Sequence, residues 1–283
     1  MRLSDQELLE YIREDIPYFD LTTHLLDVKG KQGVLEIKTR EDIVVACVEE
    51  AARMGELLGC EVNQKLTSGT QLEAGGTLLE LRGDTELLHQ AWRVSQILLE
   101  YSCGMATAAY KMVQDVKKLN PKCEVFVTRK SFPFAKRFVM RSLVCAGVLP
   151  HRLGLSESVL IFDNHRALYD TPEEFEAALP SIKERCVEKK LVIEADSLED
   201  AKKMLSLGAD VIQMDKTTPE VLRELVEYKN QNYPNTKILA AGGINRKNAK
   251  EFAATGIDAV VTSSLYSAGL SDLTSCFRVV DSV

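Results

Sequence analysis

The residues of this chain that can do chemistry recur at one kind of place, immediately after a short apolar run. Thr128-Arg129-Lys130, Asp163-Asn164-His165, Glu194-Ala195-Asp196, Asp215-Lys216, Ala241-Gly242-Gly243 and Ser263-Ser264 each follow such a run. Arginine presents a planar fork suited to carboxylate or phosphate and lysine presents a point charge, and neither is cheaply placed at a buried strand end without an anionic partner. Glu194 and Asp215 offer the opposite chemistry, as hard oxygen ligands for Mg2+ or as acceptors for sugar hydroxyls. The backbone N–H groups of a turn at Gly242-Gly243, followed by Ile244-Asn245 and a helix start, can cradle a phosphate. Together the set suits a sugar phosphate and a metal. The competing expectation is internal ion pairing of Glu194 and Asp215 with Arg129 or Lys130. His151-Arg152 stands just before Leu153-Gly154-Leu155, where an imidazole beside a guanidinium can orient a ring carboxylate. His165 is open to metal binding or to loop hydrogen bonding, and His24 and His89 read as surface or core residues.

Elements must bring these residues to one rim. After Pro121 short buried strands are expected over Glu124 to Val127, Ser158 to Phe162, Leu191 to Ile193, Val211 to Met214, Ile238 to Ala240 and Ala259 to Thr262, most of them followed by a helix. Thr171-Pro172-Glu173 and Thr218-Pro219-Glu220 each give a cap, a proline at the first helical position and an acid near the positive end of the dipole. Ser197-Leu198-Glu199-Asp200 resembles a capping box. Repeated strand–helix units imply parallel strands, whose C-terminal ends carry the active site. A complete eight-fold barrel needs about 200 residues or more, so an open barrel of six or seven strands is predicted. Upstream, Gly33 to Lys38 alternates as a half-buried strand, Cys47 to Leu58 has helical spacing that stops at Gly59, and Thr77 to Leu81 reads as a strand. Apolar residues from Thr85 to Leu119 keep a helical period that Gly104 divides. The predicted division is an N-terminal α/β sandwich domain over 1–108, against which the C-terminal tail can pack, and an open α/β barrel over 109–283.

Composition narrows the classes. With 35 Lys and Arg against 42 Asp and Glu the net charge is -7, which argues against general binding to nucleic acid or an anionic membrane. The charge is uneven: from Arg129 to Arg166 seven cations face two acids, so a basic segment sits in an otherwise strongly acidic chain, an arrangement suited to an anionic ligand. No apolar run approaches the roughly 18–20 residues needed to cross a bilayer, and residues 1–7 are polar and acidic, so the expected setting is cytoplasmic without membrane insertion. Seven scattered cysteines without a Cys-x-x-Cys pair are expected to be reduced thiols.

Several separated motifs then carry a resemblance: 14–23 (Glu-Asp-Ile-Pro-Tyr-Phe-Asp-Leu-Thr-Thr), 102–107 (Ser-Cys-Gly-Met-Ala-Thr), Thr128-Arg129-Lys130, His151-Arg152-Leu153-Gly154-Leu155 and Asp163-Asn164-His165, continuing through Glu194, Asp215 and Ala241-Gly242-Gly243-Ile244. In this order, over nearly the whole chain, they resemble the quinolinate phosphoribosyltransferase family. Within it, Ser131-Phe132-Pro133 and the run Leu160 to Arg166 favour the branch associated with molybdate transport. The resemblance implies a type II phosphoribosyltransferase fold and a homodimer with shared active sites. It implies transfer of the phosphoribosyl group of 5-phosphoribosyl 1-pyrophosphate, with Mg2+, to a small heteroaromatic acid such as quinolinate, with pyrophosphate and carbon dioxide released. By motif, Arg129, His151 and Arg152 would hold the acid, together with Arg93 donated across the dimer. Lys130, Glu194 and Asp215 would hold pyrophosphate, ribose and metal, and Gly242, Gly243, Ser263 and Ser264 the phosphate.

Three positions depart from the family pattern. The lysine before Asp-Asn-His is Phe162, the asparagine after the long-helix arginine is Ile97, and a glycine near the second phosphate loop is Ser263. Losing a cation from a dianion site is expected to weaken quinolinate binding. A less charged acid or another heterocycle is therefore expected, and phosphoribosyl transfer is a firmer expectation than decarboxylation. The alternatives are a sugar-phosphate lyase or isomerase using Lys130 or Lys216 as base or imine former, and a non-catalytic accessory protein of molybdate handling.

Overall fold

The computed structural model describes residues 3–26 and 30–280. Its strands are, in chain order, β1 (Gln32–Thr39), β2 (Ile43–Val44), β3 (Glu61–Lys65), β4 (Gln71–Leu72), β5 (Thr77–Asp84), β6 (Glu124–Val127), β7 (Leu149–Pro150), β8 (Val159–Ile161), β9 (Leu191–Ala195), β10 (Val211–Asp215), β11 (Lys237–Ala241), β12 (Ala259–Thr262) and β13 (Leu273–Val280). They fall into two compact units, the first drawn from the described residues of Met1–Tyr110, Ser131–Gly147 and Tyr266–Val283, the second from Lys111–Lys130 and Val148–Leu265.

The first unit is an α/β sandwich. Its sheet has the order β13-β1-β5-β3, and β13 lies antiparallel along the whole of β1 from Gln32↔Val280 to Thr39↔Leu273. Alternation along β1 and β5 turns Leu35, Ile37, Leu79 and Leu81 into a core completed by Ala51, Leu88, Ala91 and Leu99 from helices. Helix Lys136–Val144 also belongs to this unit. It is held by Arg137 Nη1 to Glu7 Oε2 at 3.0 Å, and by Arg141 to Glu49 at 3.2 Å and to Glu50 at 3.0 Å.

The helix Thr85–Leu119 runs unbroken through Gly104, which corrects the expected division there. The glycine serves a close approach instead: a Cβ at residue 104 would lie 2.2 Å from the carbonyl oxygen of Gly269. The neighbouring Ser271 N–H donates to Glu100 O at 3.0 Å.

The second unit is an open barrel of seven parallel strands in the order β7-β6-β12-β11-β10-β9-β8. Read around the sheet this is chain order with one seam, between β7 and β8. Strands β9 to β12 are buried on nearly every residue, as parallel strands covered on both faces must be. Strand β7 escaped the sequence reading because it is two residues long, and its Pro150 is tolerated at a sheet edge. The outer helices begin as their caps prescribe. Thr171 accepts from Glu174 N–H and Ser197 from Asp200 N–H, and Pro172 and Pro219 occupy first-turn positions.

Candidate active site

The C-terminal ends of the barrel strands surround a cavity of about 550 Å³, lined entirely by residues of the second unit. Each wall comes from a different strand, so the register of the sheet, rather than any local motif, brings the chemistry together. Arg129 and Lys130 follow β6, His151 and Arg152 follow β7, Phe162 follows β8, Glu194 is the penultimate residue of β9 and Asp215 ends β10. Gly242 and Gly243 follow β11, and Ser263 and Ser264 follow β12. Of the residues given a role by the resemblance, all line this cavity except Arg93, which lies in the first unit, exposed on helix Thr85–Leu119; Asp163, Asn164, His165 and Asp196, also named from the sequence, are not among the lining residues.

The cations divide in an informative way. Of the basic stretch, Arg137 and Arg141 pair with acids of the first unit, and Arg166 Nη1 contacts both oxygens of Asp200 at 3.0 and 2.9 Å. Of the four cations on the cavity, Arg129, Lys130 and Arg152 have no ion-pair partner among the described residues, and Lys216 has Asp215. The expected pairing of Glu194 and Asp215 with Arg129 or Lys130 is therefore absent there. Burial, and then the neighbouring Arg129, push the Arg152 guanidinium below its ordinary range. His151 is pushed down to about 4 by burial and by Arg152, so at neutral pH it is an uncharged donor and acceptor. The His151 backbone N–H donates to Val127 O at 2.9 Å, which docks the loop against β6.

The carboxylates have different support. Glu194 Oε2 accepts from Gln213 Nε2 at 2.7 Å, and the backbone oxygen of Glu194 accepts from Arg166 Nη2 at 2.6 Å. Burial raises the Glu194 carboxyl, opposed by the Gln213 bond and reinforced by Asp215 and Asp163. Asp215 has Lys216 Nζ at 3.9 Å, with the lysine side chain 82% exposed. Lys130 is likewise exposed. Both ammonium groups are open to solvent.

The glycine pair is a left-handed turn with φ +83° at Gly242 and +71° at Gly243, a conformation that costs little only without a Cβ. The helix expected to begin just after it instead starts at Ala249. Asn245 and Asn248 explain the delay. Asn248 Oδ1 accepts from Asn245 N–H at 2.8 Å and Asn245 Oδ1 from Lys247 N–H at 2.9 Å, a side-chain turn that replaces the first helical bonds. Thr262 Oγ1 donates to Ile244 O at 2.6 Å and accepts from Ser264 N–H at 3.0 Å, tying the loops after β11 and β12 together. His165 takes a structural position, its Nδ1 accepting from Phe162 N–H at 3.0 Å and its ring stacked on Phe162.

Two hard-oxygen carboxylates on adjacent strands fit part of a Mg2+ shell. No group of three His, Cys, Asp or Glu that could hold a metal occurs among the described residues, so phosphate oxygens and water would complete it, the usual arrangement for this ion. Sequence reasoning missed Gln213, which lies inside an apolar run. The readable signal was its two-residue spacing from Asp215, which puts both on one face of β10.

Fold and cavity together define a two-unit α/β protein with an open parallel barrel and a cation-lined cavity at the C-terminal strand ends. The chain matches the family profile described as quinolinate phosphoribosyl transferase, N-terminal domain, over residues 20–103, and the C-terminal domain profile over residues 105–274. It is 35% identical to a protein of Pasteurella multocida named pyrophosphorylase ModD, over 95% of this chain and 96% of that one. It is 29% identical to a protein of Methanothermobacter thermautotrophicus named nicotinate-nucleotide pyrophosphorylase (carboxylating), covering 93% and 95%. The crystal structure of NadC from Streptococcus pyogenes superposes with a TM-score of 0.88 at 23% identity over 99% of this chain and 100% of that chain, a likeness of fold. The chain belongs to the quinolinate phosphoribosyltransferase family.

Proposed function

We propose that this chain transfers the phosphoribosyl group of 5-phosphoribosyl 1-pyrophosphate to a small nitrogen-heteroaromatic acid of the quinolinate kind, releasing pyrophosphate. The observation that carries the reading is the cavity itself: Arg129, Lys130 and Arg152 face it without an acidic partner among the described residues, on the same rim as Glu194, Asp215 and the Gly242-Gly243 turn. In this reading Arg129, Arg152 and the neutral His151 hold and orient the ring acid. Lys130 faces the diphosphate, and the N–H groups of the Gly242-Gly243 turn face the 5-phosphate along with Ser263 and Ser264. Glu194 and Asp215 would hold Mg2+, which would supply charge neutralisation of the leaving group. Glu194 and Asp215 face the ribose, where positive charge develops as the bond to pyrophosphate lengthens. Fixed charges in a partly desolvated cavity then do most of the catalysis, and no protein nucleophile is required.

The reading extends to a homodimer in which Arg93 of one subunit completes the site of the other, to a cytoplasmic setting, and to decarboxylation only where the acid carries a second carboxylate. No helix among the described residues is long and apolar enough to cross a membrane. Pyrophosphate release from 5-phosphoribosyl 1-pyrophosphate and Mg2+ across a panel of pyridine carboxylic acids tests the transfer. Lys130→Ala and Glu194→Ala are expected to abolish it, and full activity in either variant overturns the assignment. Mixing inactive Arg93→Ala and Lys130→Ala subunits is expected to restore part of the activity if the sites are shared.

A further inference from the structure

Below the rim the barrel interior is layered by register. Gln213 of β10 stands opposite Glu194 of β9, and Phe162 follows the Ile161–Ile193 pair by one step, so Phe162, Glu194 and Gln213 occupy one layer. The layer beneath is apolar, with Val192 aligned to both Leu160 and Val211. Gln213 is 5% exposed and lines the cavity. Its Nε2 donates to Glu194 Oε2 at 2.7 Å, which fixes the amide, because a flip would set two acceptor oxygens against each other. Its Oε1 is buried, and no donor among the described residues reaches it. A buried acceptor without a donor is costly. On the other side of Glu194 in the same layer stands the Phe162 ring, with the Arg152 guanidinium 5.9 Å from the ring centroid. A flat aromatic acid entering this corner meets an aromatic wall, a cation and one acceptor that lacks a hydrogen.

We propose that Gln213 reads the acceptor substrate: its carbonyl oxygen takes a hydrogen bond from an N–H donor on the heteroaromatic ring, so the preferred acceptor is a monocarboxylic heteroaromatic acid bearing such a donor rather than a dicarboxylate. The inference rests on the phosphoribosyl-transfer reading of the same cavity. A carboxylate at that ring edge has no hydrogen to give, and it would bring negative charge against the Gln213 carbonyl and the Glu194 carboxyl. Phe162 supplies no counter-charge. An amino group satisfies the orphaned oxygen and leaves every charge in the cavity unchanged. A pentose hydroxyl is the competing donor.

The test is calorimetric titration of the full-length protein with nicotinate, its 2-, 5- and 6-amino derivatives, and quinolinate. At least one amino derivative is expected to bind about tenfold more tightly than nicotinate, the worth of one good hydrogen bond in a desolvated site, while quinolinate shows no such gain. In Gln213→Met, which keeps the volume, the ratio of amino derivative to nicotinate should fall to near one. The ratio is the readout because any disturbance of Glu194 weakens both ligands alike. Failure of every amino derivative to exceed nicotinate in the unmodified protein overturns the proposal whether or not the variant folds, as does a gain that survives in Gln213→Met. Parallel titrations with ribose 5-phosphate and 2-deoxyribose 5-phosphate cover the pentose: a Gln213→Met loss confined to ribose assigns the carbonyl to the sugar and overturns the proposal. Titration with 5-phosphoribosyl 1-pyrophosphate separates the two levels. Its failure to bind removes the transfer reading, whereas binding without amino preference removes only the inference about Gln213.

Discussion

Replacing Gly242 with alanine should damage this protein far more than the same change at Gly243, although the two are adjacent and both left-handed. A methyl at residue 242 would lie 2.6 Å from Asp215 Oδ1, Lys216 Cγ and Lys216 N, whereas one at residue 243 meets nothing within 4 Å. Alanine at φ +83° or +71° costs about 1–2 kcal/mol in either case. At Gly242 the overlap adds roughly 1–3 kcal/mol. Relieving it moves Lys216, itself held at φ 50° by an N–H bond to Ala241 O at 2.9 Å, and losing that bond costs about 1 kcal/mol more. The totals are about 3–6 kcal/mol for Gly242→Ala against about 1–2 for Gly243→Ala. At roughly 2–3 °C per kcal/mol for a chain of this size, thermal denaturation should separate them by at least about 4 °C. Pyrophosphate release should separate them further, because the clash displaces the Asp215 carboxylate and a misplacement of about 1 Å costs on the order of a hundredfold. Equal melting temperatures and equal turnover in the two variants would refute the argument that Gly242 is there for the close approach of Asp215.

Three other outcomes follow from the same structure. Burial and Arg152 push His151 from its ordinary 6.5 to about 4, so as pH falls through 6.5 the unfolded chain takes up a proton that the folded chain refuses until about pH 4. Stability held above pH 7 should therefore decline toward pH 4 by about 2–3 kcal/mol more in the wild type than in His151→Gln, as read from urea midpoints, and parallel profiles would sink the assignment. Gly104→Ala should destabilise by about 2–4 kcal/mol through the 2.2 Å approach to Gly269 O, even though alanine is the better helix former by about 1 kcal/mol; a stabilised variant would show the helix to be free of that contact. Phe162→Lys, placing a third cation beside Arg152 and Arg129, should raise quinolinate affinity about tenfold with little gain for nicotinate, and an equal gain for both would show that position 162 does not face a second carboxylate.

The parts of this site that were legible in the sequence share one cause. Strands β9 to β12 are buried on both faces, so each reads as a continuous apolar run, and the first polar residue marks the barrel rim. Glu194, Asp215 and the Gly242-Gly243 turn announce themselves in this way. Gln213 does not, because it lies within a run that Met214 resumes, and its meaning comes from register with Glu194 on another strand. Gly104 misled for a related reason: within a helix a glycine reads as a break, while its use here depends on a carbonyl 165 residues further along the chain. The basic stretch was legible as charge but not as placement. Arg137 and Arg141 find their acids 130 and 91 residues away, so composition alone cannot separate them from Arg129 and Lys130.

That separation has a physical consequence. An acidic chain with 42 carboxylates has ample means to neutralise its cations, and it does so for Arg137, Arg141 and Arg166. Burial and then the neighbouring Arg129 instead disfavour the Arg152 charge, and Glu194, raised first by burial, is raised further by Asp215 and Asp163. The cavity is thus polarised, with like charges gathered beside β6 and β7 and carboxylates gathered on β9 and β10. A plain polyanion relieves only the first half of that tension and worsens the second. A ligand that is anionic at its ends and gains positive charge at its centre relieves both, and relieves the second only as that charge appears. Under the proposed transfer reaction this ligand is the ribosyl group at the moment its bond to pyrophosphate breaks, so the arrangement favours the transition state over the bound substrate.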